Sequence, residues 1–345
     1  MRMAQHAGAR VLLVGNIDQG GVFGAFVGTM ETLGEWEREL VAGFVINRFR
    51  GIKELLADGL TYLQTTTGKP VLGVVPYLAN LALPEEDSLE FKSGALNDYT
   101  PLGNRIDIAL IDTPRISNFT DVDALRIEDD VRVRQVRTVD ELGNPDVIIL
   151  AGSKNVVSDL QHLEDSGLSV RILEFAKTGS TEIVGICGGY QMLGERLLDP
   201  HHIETQHDFY AGLGLLPLET RLESAKILSQ TRGRHLNSKM PVQGYEIHHG
   251  NTHALRPLGI SFERDDGFVL GHHNKSGEVW GTYLHGVFDN DGFRRWFIDK
   301  IRDRKGMQKI GKIQKHYTFE TSLDRLADSV RSSLDMKIIY QWLGL

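Results

Sequence analysis

One short stretch limits the architecture more than any other: Val184-Gly185-Ile186-Cys187-Gly188-Gly189-Tyr190-Gln191-Met192-Leu193-Gly194. It holds the single cysteine of the 345-residue chain. Thr181 to Ile186 ends in an apolar run that predicts a buried strand, and Gln191 to Leu198 predicts a helix. Cys187 stands between them, flanked by Gly185, Gly188 and Gly189. A sharp strand-to-helix turn needs residues without a Cβ, because the backbone bends tightly and the helix packs close behind it. The pattern is that of a nucleophile elbow with Cys in place of Ser. The thiol would then lie at a helix N-terminus, where the macrodipole favours thiolate. The alternative is a buried structural cysteine, since free Cys is among the most buried residue types.

The length suggests about two domains. A net charge of −8 with no long basic block argues against a nucleic-acid partner. One cysteine rules out an intrachain disulfide and fits a reducing cytoplasm. No apolar run reaches the roughly 20 residues that span a bilayer, and the first ten residues contain no signal-peptide core. A cytoplasmic protein without a membrane partner is expected.

Val11 to Val14 predicts a central parallel strand. The loop Gly15-Asn16-Ile17-Asp18-Gln19-Gly20-Gly21 follows at its C-terminal end, where open α/β sheets bind ligands. A helix over Val22 to Leu33, a strand over Leu40 to Ile46, a helix over Lys53 to Thr66 and a strand over Val71 to Val75 complete a β-α-β-α-β run. That is half of a doubly wound sheet. Asp18 is a candidate magnesium or phosphate-side carboxylate, or else a turn or N-cap aspartate. Asn47, just past the second strand, carries the donors and acceptor to read a nucleotide base, although asparagine is common in turns. Glu85-Glu86-Asp87 is either a metal-holding cluster or a solvated loop. No G-x-x-x-x-G-K-[ST] occurs, so no Walker-type phosphate loop can be assigned.

The polar stretch Ser93 to Arg105 reads as a linker. The expected organisation is a first domain over 1–95, a linker over 96–105, a second α/β domain over 106–300 and a helical tail over 301–345. In the second domain, Ile106 to Ile111 and Asp146 to Leu150 predict strands. The latter ends in Ala151-Gly152-Ser153-Lys154-Asn155, a small-residue loop that brings backbone N–H groups to a site. Gly244-Tyr245-Glu246-Ile247-His248 alternates as an edge or surface strand would. Gly281 to Phe288 predicts a strand ending in His285. A cysteine elbow with a strand-end histidine nearly a hundred residues later is a Cys–His constellation, adjacent in space rather than in sequence. The pairs His201-His202, His248-His249 and His272-His273 invite a metal reading, but the lack of helical i,i+4 spacing and of a second cysteine argues against it. The tail shows a helical apolar pattern at Leu323, Leu326, Val330, Leu334 and Ile338.

These motifs carry a resemblance. The Val184–Gly194 elbow, Gly244-Tyr245-Glu246-Ile247-His248 and Gly281-Thr282-Tyr283-Leu284-His285-Gly286 resemble the glutamine amidotransferase domain of the cobyric/cobyrinic type. The runs Val11–Phe23, Gly43–Gly51, Gly73–Tyr77, Glu85–Ser88 and Asp324–Asp328 resemble the cobyric acid synthase family more narrowly. The resemblance implies a partial P-loop-type synthetase sheet followed by a class I-like amidotransferase α/β domain. It implies amidation of carboxylates b, d, e and g of adenosylcobyrinic acid a,c-diamide. Glutamine would supply the ammonia, and ATP with magnesium would activate each carboxylate, with no bound redox cofactor. Cys187 would be the nucleophile and His285 its acid–base partner. The backbone amides of Gly188 and of the Gly152-Ser153 loop would form the oxyanion hole.

Three departures qualify it. Related glutaminases follow their histidine with Pro-Glu; here His285-Gly286-Val287 removes that carboxylate, leaving a Cys–His dyad with Glu246 as a substitute orienter or a surface glutamate. Asn16-Ile17-Asp18-Gln19 stands where the family has Asp-Ile-Asp-Arg, losing a carboxylate and an arginine. The family's phosphate loop lies upstream of Met1, so another chain supplies it or it is lost. Competing readings are a stand-alone glutaminase feeding a separate ligase, and a folded remnant that cannot couple ATP.

Overall fold

The computed structural model describes residues 1–79, 81 and 102–345. They form two units, one of Met1–Leu83 with Thr318–Leu345 and one of Pro84–Tyr317. The expected linker lies mostly outside the described residues, as does Glu85-Glu86-Asp87.

The first unit is a three-stranded parallel sheet in the order Val11–Asn16, Val41–Phe49, Val71–Pro76. The middle strand carries the unbroken apolar run Val41–Ile46 and is buried throughout that run, as a two-sided parallel strand must be. The Val11–Asn16 strand, expected to be central, is an edge strand, and Val14 is 61% exposed. Helix Val22–Thr32 lays Val22, Phe26 and Met30 on one face of the sheet against Phe44 and Ile46. That i, i+4, i+8 spacing is one stripe of an α-helix.

The other face carries a correction. The tail expected as a separate segment from residue 301 divides elsewhere. Helix Asp291–Arg304 runs through that boundary and buries Ile298 and Ile301 in the core of the second unit. Helices Glu320–Ser333 and Met336–Leu343 belong to the first unit. Leu334, Ile338, Ile339 and Trp342 cover Val45, Leu72 and Val75. The apolar pattern of the tail needed a partner, and the uncovered face of this sheet is that partner. The approach is close: a Cβ on Gly73 would stand 2.1 Å from the Ser333 carbonyl oxygen, and Asp335 N donates to Leu72 O at 2.8 Å.

The second unit is built on an eleven-stranded mixed sheet. Its parallel part runs Val131–Val136, Ile106–Ile111, Val147–Leu150, Glu182–Ile186, Val279–Thr282. Antiparallel strands Val269–His273 and Gly259–Arg264 extend it to Leu218–His235, which also pairs with Pro241–Ala254. The central strands are buried at every residue. This confirms an α/β fold; a P-loop-type synthetase sheet is not seen in the described residues.

Candidate active site

The elbow forms as the sequence requires, with one change. Strand Glu182–Ile186 delivers Cys187, but the following helix is only Gly188–Met192, and Arg196–Leu198 is a strand rather than a helix end. Leu197 is drawn into the sheet beside Thr220, which ends the helix after one turn. The dipole of so short a helix is small, so the local amides matter more than the macrodipole. Cys187 has φ 52° and ψ −105°, a conformation that an L-residue adopts at a cost of about 1–3 kcal/mol. The surrounding core holds it there. A Cβ on Gly189 would lie 1.9 Å from the Leu150 carbonyl oxygen, and Gly189 N donates to Ala151 O at 2.8 Å. The turn therefore packs directly onto the end of the neighbouring strand.

His285 lies three residues beyond the Val279–Thr282 strand, later than the strand end expected for it. A two-way backbone bridge to Tyr245 fixes it: His285 N donates to Tyr245 O at 2.9 Å, and Tyr245 N donates to His285 O at 3.2 Å. The Tyr245 ring also stacks on the imidazole, with centroids 5.0 Å apart. On the other side, a Cβ at Gly152 would meet His285 Cε1 at 3.3 Å, so a larger residue would crowd the ring.

His285 has a carboxylate partner that the sequence did not lead one to expect. His285 Nδ1 donates to Asp121 Oδ2 at 2.8 Å, and Asp121 Oδ1 accepts from Gly286 N at 2.8 Å. Both side chains are almost wholly buried. Glu246 is not the orienter, nor is it a surface residue. It is 1% exposed and accepts from Thr231 Oγ1 at 2.6 Å, with His248 Nε2 at 3.4 Å. The inward face of its strand carries Glu246 and His248, a polar pair on a buried stripe. Asp121 escaped the sequence reading because it lies 164 residues before His285, in a short 3-10 turn. The only local signal was the pair of aspartates, Asp121 and Asp123, in a loop after a fully buried strand.

Burial alone would push the His285 ring toward neutrality. The charge and hydrogen bond of Asp121, with a smaller contribution from Cys187, outweigh it and raise the imidazole to about 10. With Nδ1 committed to Asp121, Nε2 is the nitrogen left for chemistry. It is buried without a hydrogen-bond partner among the described residues.

Cys187 and Gly188 line a cavity of about 360 Å³ together with Ser153, Gln191, Glu204 and Ile247. The Cys187 thiol points to the Ile247 carbonyl at 3.6 Å. A Cβ on Gly188 would stand 2.7 Å from Ser153 N, so the two segments expected to supply an oxyanion hole lie side by side. Asp159, fully buried, ties this loop down: its Oδ2 accepts from Ser153 Oγ at 2.6 Å and Thr113 Oγ1 at 2.8 Å, and its Oδ1 accepts from Arg115 N at 2.9 Å.

In the first unit, Asn16 at the end of its strand sits in register with Asn47 of the neighbouring strand. Asn47 lies inside the Val41–Phe49 strand, which runs further than expected, and its Oδ1 accepts from Arg48 N at 2.9 Å. The exposed Asp18 carboxylate faces Arg50 at 3.1 Å. No group of three His, Cys, Asp or Glu side chains suited to a metal occurs among the described residues. No described helix is long and apolar enough to cross a membrane.

Comparison with known proteins agrees with this geometry. The CobB/CobQ-like glutamine amidotransferase domain matches residues 107–293. An adenosylcobalamin biosynthesis bifunctional protein of Leptospira interrogans is 56% identical over all of this chain, which spans 40% of that protein. The cobyric acid synthase of Nitratidesulfovibrio vulgaris is 47% identical, again over all of this chain, and 70% of that enzyme is covered. That of Moorella thermoacetica is 44% identical, with 69% covered. The chain belongs to the cobyric acid synthase family and carries its glutamine amidotransferase domain.

Proposed function

We propose that this chain releases ammonia from glutamine at Cys187 and delivers it to carboxylates b, d, e and g of adenosylcobyrinic acid a,c-diamide, as part of a cobyric acid synthase. The observation that carries the glutaminase step is the strained Cys187 elbow beside the Asp121–His285 pair. His285 Nε2 takes the Cys187 proton before the attack, and the resulting thiolate attacks the side-chain amide carbon of glutamine. The amides of Gly188 and Ser153 stabilise the tetrahedral oxyanion. His285 returns the proton to the departing nitrogen, ammonia leaves, and a glutamyl thioester remains on Cys187. Water, deprotonated by the same ring, hydrolyses the thioester to glutamate. Asp121 holds the ring in the tautomer that keeps Nε2 free and stabilises the cation formed there.

ATP, with magnesium, is the co-substrate that would activate each carboxylate of the corrinoid. Asp18 and Asn47, both in the first unit, are the residues assigned to that side. What favours a ligase over a stand-alone glutaminase is that the cobyric acid synthase relatives match the whole chain, the first unit included.

The test has two arms. A diazo-oxo-norleucine glutamine analogue should label the chain once, at Cys187, and mass spectrometry finding no adduct would remove the nucleophile. The chain is next incubated with glutamine, Mg-ATP and the a,c-diamide. Ammonia release without ATP-dependent amidation limits the chain to the glutaminase half.

A further inference from the structure

A second cavity, of about 820 Å³, opens beside Tyr245, whose ring backs onto His285. Its floor follows from strand alternation. Gln230 pairs with Tyr245 and Arg232 with Gln243 across the ladder of Leu218–His235 and Pro241–Ala254, so these four side chains share one face. All four line the cavity, while Thr231 and Glu246 between them are buried. The Tyr245 hydroxyl accepts from Asn118 Nδ2 at 2.6 Å, and Asn118 lines the Cys187 cavity, so this bonded pair stands between the two cavities. The rim is held firmly: Asn290 Oδ1 accepts from Gln243 N and its Nδ2 donates to Gln243 O, each at 2.9 Å. Of the two arginines lining the cavity, Arg264 is committed, donating from Nε and Nη2 to Asp266 at 2.8 and 2.7 Å. The Arg232 guanidinium and the side-chain amides of Gln230 and Gln243 have no ion pair or hydrogen bond among the described residues. The Asp265 and Asp289 carboxylates line the same cavity and also lack such partners among the described residues. Asp289 is partly open to solvent, but the protein packed around it and the nearby Asp121 charge raise its carboxyl to about 7, so near neutral pH it can donate as well as accept.

The cavity thus offers a guanidinium that can take a carboxylate in a charge-assisted pair. Around it stand amides and carboxyl groups suited to the two-way hydrogen bonding of carboxamides. The corrinoid acceptor carries both groups on one rim, with the amidated arms a and c beside unamidated carboxylates. We infer that this cavity binds that rim, with Arg232 on a carboxylate arm and Gln230, Gln243 and Asp289 on carboxamide arms. A corrinoid held there touches Tyr245, and so stands behind His285 within the unit that releases ammonia. This assignment rests on the corrinoid reading of the acceptor.

Binding to the full chain is measured by equilibrium dialysis and read through the absorbance of the corrin, so turnover is not required. The two probes are the a,c-diamide and the same corrinoid with every carboxylate methyl-esterified. The a,c-diamide should bind about tenfold or more tighter than the ester. Arg232→Met should remove most of that gap, and Arg232→Lys should keep part of it. Gln243→Leu should weaken both probes. Arg232 is exposed, so its variants should match the unaltered chain by circular dichroism. A gap that persists in Arg232→Met, or the absence of any gap or of any corrinoid binding, overturns the assignment. Amidation of the a,c-diamide is scored separately. Amidation with an unchanged gap in Arg232→Met sinks only the cavity's role. Binding that depends on Arg232 and on the carboxylates, without amidation, sinks the ligase reading and leaves the cavity's role standing.

Discussion

In the first unit the edge strand Val11–Asn16 leaves Val14 61% exposed, and the groups at its strand ends, Asp18 and Arg50, pair in the open. In the second unit the strands Ile106–Ile111, Val147–Leu150 and Glu182–Ile186 are buried at every position. Asp121, Asp159 and Cys187, which follow these strands in the chain, are buried with them. Both units place polar groups in the chain after parallel strands, but only the second surrounds them with enough core to hold them rigid. An exposed pair like Asp18–Arg50 contributes at most about 1 kcal/mol and fixes little. A buried pair like Asp121–His285 cannot move away, because separating it would leave an uncompensated charge in the interior. Rigid placement is what lets Cys187 keep a backbone conformation that no isolated peptide would hold.

The sharpest break in that contrast is at the nucleophile. Cys187→Ala should abolish ammonia release from glutamine, a loss of about 10⁴-fold or more. The whole fold should persist by circular dichroism; substantial residual turnover would move the chemistry elsewhere. Next comes the carboxylate partner of His285. Asp121→Asn and His285→Ala should each lower turnover by about 10²-fold or more, while Glu246→Gln costs far less. Equal losses from Asp121→Asn and Glu246→Gln would mean that the orienting carboxylate has been misassigned.

The following tests compare the packing of the two units. Gly189→Ala pushes a methyl group against the Leu150 carbonyl, and Gly73→Ala pushes one against the Ser333 carbonyl. Each should cost about 1–3 kcal/mol, but in different places. Hydrogen exchange should speed up over residues 11–16, 41–49 and 71–76 for Gly73→Ala, with residues 106–111 and 147–150 unaffected. For Gly189→Ala the pattern should reverse. Exchange that rises everywhere in both variants would show a single cooperative unit.

The smallest effect is on pH dependence. His285 is raised in the fold from 6.5 to about 10. The folded state therefore binds the proton more tightly than the unfolded chain does. The stabilisation is complete below pH 6.5 and is lost as pH rises toward 10. Urea melts between pH 6 and 10 should show stability falling across that window. The slope should flatten in Asp121→Asn, and an unchanged slope would show that Asp121 does not set the proton affinity of the ring.

The Cys187 elbow was legible in the sequence because its requirements are local: a buried strand, a turn free of Cβ atoms and a nucleophile between them. The alternation of Gly244 to Gly250 and the apolar stripe of the tail were legible for the same reason, since periodicity is a property of one segment. What those segments face was not. The stripe at Leu334 and Ile338 does not name Leu72 and Val75 as its partners, and the alternation around Glu246 does not say whether its charged face points in or out. Asp121 meets His285 across 164 residues. The sequence by itself determined the α/β class and the Cys187 elbow through short-range constraints. Only the tertiary structure decided the carboxylate partner of His285 and the cover that the tail helices give the first sheet, because each depends on contacts between segments far apart in the chain.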